Sequence, residues 1–432
     1  MGDGRASSEL DPRPTPSALD AAKNWLLAVR NEDGGWGEHE LSASRVVNTA
    51  EAIVALTKLD TTWDASASIE YLRRAASGGY AKFTRHFGWL AFALLEAGLP
   101  STDPTIAGAV EWLAANQNKD HGWGQDANLP SGLYTTFLAM RVLSSARVRS
   151  DLLASATVWV DHQQNGDGGW PFRAEAKSDA CATAYALISL TKYSHQPFES
   201  SDRCRQACGF LIEHRNGPSW APSYEKGGAG DNVHTFAHFT TPWAISALIA
   251  SAYSPTQRAV VDGSKSLLDS QSESGGWADV SQYRPTVWAT SNAVSALVEH
   301  STAFAEVRRV EDVVQSISML HARLDSITTV VSGSSVVFRI GPGLFIGLGQ
   351  RTFVAVALIV GLAVITATVV ASRLTAAIYL TVAYAGCVIV AVLLFAYLRQ
   401  VKRRDAAFVW SSVLGLISLL VAMAGSYVVL TR

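Results

Sequence analysis

Hydrophobic positions along this chain fall into two regimes. Up to about residue 330, apolar residues recur three and four apart in short runs, and most runs end in a polar loop that contains glycine. That spacing predicts amphipathic helices, and the runs that are apolar on every side predict helices buried all round. From Thr352 onward polar residues almost disappear. Three stretches there, Thr352 to Ser372, Leu374 to Leu398 and Ala406 to Leu430, carry no charge. Each is long enough to cross a hydrocarbon core, which takes roughly 20 helical residues.

The first regime is a repeat. Four tracts, WLLAVRNEDGGW, WLAANQNKDHGW, WVDHQQNGDGGW and LLDSQSESGGW, end at Trp36, Trp123, Trp170 and Trp277. Gln117, Gln164 and Gln271 stand six residues before the Trp in three of them, and Arg30 takes that place in the first. Thirteen residues after each Trp stands a Thr (Thr49, Thr136, Thr183, Thr290), and each opens an apolar run. Two weaker copies, IEYLRRAASGGY and FLIEHRNGPSW, lead into HFGWLAFALLEAGL and HFTTPWAISALIA. Each unit therefore reads as an outer helix, a glycine turn and a more apolar inner helix, with starts near residues 20, 67, 107, 154, 205 and 262. Six such hairpins predict an all-α (α/α)6 toroid over residues 19–302. The glycines permit the sharp reversal, the Trp covers the junction, and Gln satisfies neighbouring backbone groups.

Around the toroid the pattern predicts a disordered tail (1–18), a linker helix with a juxtamembrane segment (303–351) and a three-helix transmembrane anchor (352–432). Within the linker, residues 303–329 have helical apolar spacing with mixed charges. They serve either to join ring and membrane or to pair with a protein partner or a second copy as a short coiled coil. The loop between the second and third spans holds Arg399, Lys402, Arg403 and Arg404. Short basic loops stay on the cytoplasmic side, which puts the toroid in the cytoplasm and the C-terminus outside. The spans carry no ionisable residue that would mark an ion path, so they read as an anchor.

Composition narrows the classes. Only 17% of the residues are charged, below the usual quarter, and the shortfall lies in the C-terminal apolar region. A net charge of −2 with no basic tract gives no footprint for nucleic acid. Four cysteines in 432 residues make no disulfide framework and point to a reducing compartment.

The tracts, aromatic-Leu then Gln then Gly-x-Trp, resemble the QW repeat of squalene–hopene and oxidosqualene cyclases. The six-hairpin layout is similar to that of the β subunits of protein prenyltransferases. This resemblance covers roughly residues 20–300 and implies an isoprenoid-type membrane lipid as partner. Cyclases of this class carry Asp-x-Asp-Asp-Thr-Ala, whose middle Asp protonates an alkene or epoxide. The matching stretch is Asp179-Ala180-Cys181-Ala182-Thr183-Ala184, which keeps the first Asp, Thr183 and Ala184. Cys181 stands at the proton donor's place, and a thiol is far too weak an acid for that step. The prenyltransferase likeness implies zinc on Asp179, Cys181 and His238, with His238 two residues ahead of the family's position, where Thr240 stands. The alternative reading of that trio is a satisfied polar cluster at a helix end.

In such a ring the residues near the recurring Thr converge at one mouth. They include Arg45, Asn48, Arg85, His86, Tyr134, His238, Arg284 and Trp288. Tyr134, Tyr185, Trp243 and Trp288, with Arg284, are the candidate substrate-binding residues, because aromatic faces accept polyenes and stabilise cations. Asp179, Asp231 and His234 are the candidate catalytic residues. Read as a helix, GGAGDNVHTFAHF aligns Asp231, His234 and His238 at i, i+3 and i+7 on one face, although Asp231 also suits an N-cap. Three functions follow. The ring binds or transforms an isoprenoid lipid, or it transfers a prenyl group with zinc, or it is a binding or signalling module without chemistry.

Overall fold

The computed structural model describes residues 16–127, 129–229, 232–278 and 284–333. The chain divides into two compact units, Met1–Asp325 and Ser326–Arg432. All of the described ring lies in the first; of the second, the described residues are 326–333. No helix among the described residues is long and apolar enough to cross a membrane. The three candidate spans, and most of the predicted tail, lie outside the described residues.

Helices alternate between an outer and an inner layer, as the repeats predict. The outer ones are α1 (Pro16–Ala28), α3 (Ser66–Ser77), α5 (Pro104–Ala115), α7 (Ser150–His162), α9 (Asp202–Glu213) and α11 (Arg258–Asp269). The inner ones are α2 (Val46–Leu59), α4 (Thr84–Glu96), α6 (Leu133–Ala146), α8 (Ala180–Ile188), α10 (Thr240–Ala250) and α12 (Val287–Gly333). Inner helices pack in sequence order, α2 on α4, then α6, α8 and α10. Their Ala-rich interiors bury nearly every residue, as in α2 from Thr49 to Leu56. The sixth inner helix does not end where the linker was expected to begin. α12 runs without a break through residues 302 and 303, because no glycine or proline interrupts that stretch.

The repeated junction has one hydrogen-bond scheme. Trp36, Trp123, Trp170 and Trp277 are each fully buried. Their indole Nε1 atoms donate to the carbonyls of Leu26, Leu113, Val160 and Leu267 at 2.6–2.7 Å. Their backbone N–H groups donate to Oγ1 of Thr49, Thr136, Thr183 and Thr290 at 2.9–3.0 Å. The thirteen-residue interval is thus the reach from a buried Trp amide to the hydroxyl in the first turn of the inner helix. Gln164 Nε2 bridges the Gly168 carbonyl in its own turn and the Arg203 carbonyl at the head of α9. Gln271 does the same from Gly275 to Ala18, which ties the last hairpin to α1 and closes the ring. Gly168 and Gly275 have φ of +85° and +96° and sit against the next outer helix, where a Cβ would meet backbone at under 3 Å.

The fifth unit departs from the scheme. Residues Ser223–Ala229 and Asn232–His238 form an antiparallel hairpin, β1 and β2, with Ser223 opposite His238. Of GGAGDNVHTFAHF, residues 227–229 and 232–238 are therefore extended and not helical, which overturns placing His234 and His238 on one helical face; Asp231 lies outside the described residues. Val233, Thr235 and Phe236 favour a pleated strand over a helix. Trp220 still donates its N–H to Thr241 Oγ1 at 3.0 Å, but across 21 residues, because the hairpin is inserted between them.

Candidate functional site

All six inner helices and strand β2 contribute to one cavity of about 1080 Å³. The recurring Thr positions place the first turns of the inner helices at its mouth, where Arg45, Asn48, Arg85 and His86 stand. Deeper in, Trp89, Tyr134, Tyr185, Trp243 and Trp288 present their rings. Tyr134 and Tyr185 lie 5.0 Å apart, and Tyr185 meets the edge of Trp243 at 5.0 Å. Trp89 Nε1 donates to the Tyr134 hydroxyl at 3.0 Å, which fixes both rings. Burial pushes the Tyr134 phenol up to about 12, so it stays neutral.

Glu51 projects into this cavity from α2, two residues after Thr49. It is 5% exposed, and its Oε2 has no hydrogen-bond partner. Burial pushes the carboxyl up to about 8, against the pull of the Arg85 and Arg141 charges. At neutral pH it is predominantly a carboxylic acid, able to donate a proton. His86 beside it at the mouth is held down at about 4, first by burial and then by the Arg85 charge. Arg85 lies 5.0 Å under the Phe236 ring.

His238 reaches the cavity from the end of β2, ahead of α10 and not on it. Its Nδ1 is 3.0 Å from the Tyr185 hydroxyl, and its Nε2 is 3.6 Å from Glu225 Oε2 on β1. His238 thus links Tyr185 of α8, in the cavity wall, to Glu225 on β1 behind it. Phe172 stacks on the imidazole with ring centres 4.8 Å apart.

Four of the five expected substrate-binding residues, Tyr134, Tyr185, Trp243 and Trp288, line the cavity. Arg284 is exposed on the approach to α12 and is not among the described lining residues. Asp179 is the N-cap of α8, where its Oδ1 accepts from the Cys181 and Ala182 amides at 2.8 and 3.2 Å. That role turns its carboxylate to the helix end, and it is not among the lining residues. Cys181 is fully buried, and burial, with the Asp179 charge, raises its thiol well above the ordinary value. Among the described residues no group of three His, Cys, Asp or Glu side chains is found that could hold a metal. Asp231 lies outside the described residues, and His234 is placed on β2 by its backbone.

Sequence reasoning missed Glu51, Arg141 and Glu225. The first two are lone charges inside apolar inner-helix runs, TAEAIVAL and TFLAMRVL. A charge at a position where the repeat demands burial was the available signal.

A family model for the prenyltransferase alpha-alpha toroid domain matches residues 9–236 and 236–340. The chain belongs to the prenyltransferase alpha-alpha toroid family. Within it, the squalene–hopene cyclase of Bradyrhizobium diazoefficiens is 28% identical over 141 residues, 26% of this chain and 21% of that protein. A probable squalene–hopene cyclase of Sinorhizobium fredii is 25% identical over 157 residues, 29% of this chain and 24% of that one. The match thus spans about a quarter or less of these curated relatives. An alpha-1,6-mannanase of Salegentibacter has the same ring at 12% identity, with a TM-score of 0.51 over 67% of this chain and 99% of its own. That likeness shows the fold alone. A glycosidase needs two free carboxylates across its site. Here the other lining acids are engaged: Asp33 holds the Gly35 amide and the Ser44 hydroxyl, and Glu38 pairs with Arg45 at 3.0 Å. This member of the toroid family therefore has a cyclase-like ring, distantly related to squalene–hopene cyclases, without the Asp-x-Asp-Asp acid.

Proposed function

We propose that the toroid binds an isoprenoid-type polyene lipid in its aromatic cavity and transforms it with Glu51 as the general acid. The observation that carries this reading is a carboxyl kept protonated by burial inside a cavity walled by aromatic faces. A lipid bearing a basic oxygen, such as an epoxide, is the substrate class within reach of this acid. A carboxyl raised to about 8 is scarcely stronger than a thiol, so the Arg85 and Arg141 charges, which already pull it down, must make it more acidic when substrate fills the cavity. Glu51 gives its proton to that oxygen, and the C–O bond breaks with its electron pair going to the same oxygen. The carbon cation that remains is stabilised by the ring faces of Trp89, Tyr134, Tyr185 and Trp243. An alkene of the chain supplies its π pair to form a C–C bond. Loss of a proton from carbon to the Glu51 carboxylate ends the sequence and restores the acid, so the net change is an isomerisation.

The three apolar stretches after residue 352 support a membrane source for such a lipid, with the toroid on the cytoplasmic side. The test is native mass spectrometry of the full-length protein released gently from its own membranes. A bound polyene mass is the expected result, and Glu51→Gln retains that mass while conversion stops. A ring that stays empty with added polyprenyl lipids overturns the lipid reading. Conversion by the Gln variant removes Glu51 from the mechanism.

A further inference from the structure

Beneath the aromatic floor of the main cavity lies a second one of about 50 Å³. Lys58 of α2, Arg141 of α6, Lys192 and Glu299 of α12 face it, with the Ser246 hydroxyl. Lys192 stands in the π-helical turn Ser189–Tyr193 that follows α8. Lys58 Nζ lies 2.9 Å and Lys192 Nζ 3.4 Å from Glu299 Oε1. Two lysines thus share one carboxylate, and Arg141 is the third cation facing the cavity.

Arg141 is the group left over. It is 3% exposed, none of the ion pairs among the described residues includes it, and its Nε and Nη2 atoms have no hydrogen-bond partner. Its guanidinium carbon stands 4.0 Å over Trp89 and 3.9 Å over Phe92. Magnitudes decide whether those rings are enough. A desolvated cation–π contact contributes roughly 2 kcal/mol, whereas withdrawing one ion from water costs several. The rings also accept none of the in-plane N–H donors that a guanidinium presents.

We propose that this lower cavity is a binding site for a small monovalent anion of the halide type, held by Arg141 and assisted by Lys192. The volume takes a halide with one or two waters, by the rule that each water needs on the order of 10–15 Å³ of such space. A diphosphate is too large for it. The lower cavity shares Trp89, Trp243 and Asn292 with the main one, but the anion site requires no bound lipid and is tested without one.

The test uses the full-length chain exchanged into a buffer whose only anion is gluconate. Sodium chloride is then added at constant ionic strength, and the thermal midpoint and the ³⁵Cl linewidth are followed. The expected result is a saturable rise in midpoint, with broadening that bromide competes away. Lys192→Met lowers the apparent chloride affinity about tenfold, the loss of one charged contact. Arg141→Met abolishes the chloride response. Should that variant fail to fold, crystals of the wild-type chain grown in bromide decide: an anomalous peak beside the Arg141 guanidinium supports the site. Chloride-independent melting, or water alone at that position, overturns it.

Discussion

The junctions around the ring and the cavity inside it are built on opposite principles. At the junctions the same contacts recur: a buried Trp, its indole on a carbonyl ten residues back, its amide on a Thr hydroxyl thirteen residues on. In the cavity the charged groups do not recur. Glu51 has no counterpart on α4, Arg141 none on α8, and the hairpin before α10 none elsewhere among the described residues. Repetition here marks what holds the ring closed, and departure from it marks where the inner face has been adapted.

That division makes the junctions expensive to damage. Trp170→Ala removes a fully buried indole and the 2.7 Å bond it gives the Val160 carbonyl, leaving that oxygen only the Gln163 amide at 3.1 Å. The expected loss is about 3–5 kcal/mol, read from the denaturant midpoint of the full-length chain. A loss no larger than that of an exposed substitution would break the comparison, because the recurring Trp would then be dispensable.

The cavity shows its character in pH dependence. Burial pushes the Glu51 carboxyl from an ordinary 4.5 up to about 8 in the folded protein. Between those values the folded state binds the extra proton, so stability falls as pH rises and the penalty is complete only above about pH 8. The slope attributable to this one group approaches about 1.4 kcal/mol per pH unit inside that window. Between pH 6 and pH 8 the wild type should therefore lose on the order of 2 kcal/mol that Glu51→Gln does not. Parallel pH profiles of the two proteins would show that Glu51 is not protonated in the fold.

The ring was legible in the sequence because its determinants are local and repeated. Outer helices begin within a few residues of the expected starts, at 16, 66, 104, 150, 202 and 258. The aromatic wall was legible for the same reason, since Tyr134 and Trp288 stand two residues before a recurring Thr and Tyr185 and Trp243 two residues after one. The buried Glu51 carboxyl was not. The family motif points to Asp179, whose carboxylate caps a helix, whereas the carboxyl that burial pushes up stands on a different inner helix. The fifth unit was misread because charge and histidine spacing at i, i+3 and i+7 was weighed above the glycines that flank it. Tyr80, the aromatic of the second unit's turn, shows the limit of the repeat in another way. It is 72% exposed at the cavity mouth and covers no junction.

The smallest expected effect sits at the first junction, where the Trp–Thr scheme is kept but the Gln is replaced. Arg30 takes the place of Gln in the first unit, and its Nε reaches the Gly34 carbonyl at a long 3.4 Å while its guanidinium lies 5.4 Å from the Trp36 ring centre. Gln164 and Gln271 each make the equivalent bond at 2.8 Å and a second one to the next outer helix. By the same register a Gln at position 30 meets the Gly34 carbonyl and the backbone just ahead of α3. Arg30→Gln should therefore stabilise the ring by about 0.5–1 kcal/mol, the net worth of one well-made hydrogen bond. Differential unfolding of Arg30→Gln and wild type at matched salt measures it. A stabilisation confined to low salt would assign the effect to removing charge. One that persists at high salt would assign it to the restored bridge, and would extend the rule of the junctions to the unit that departs from it.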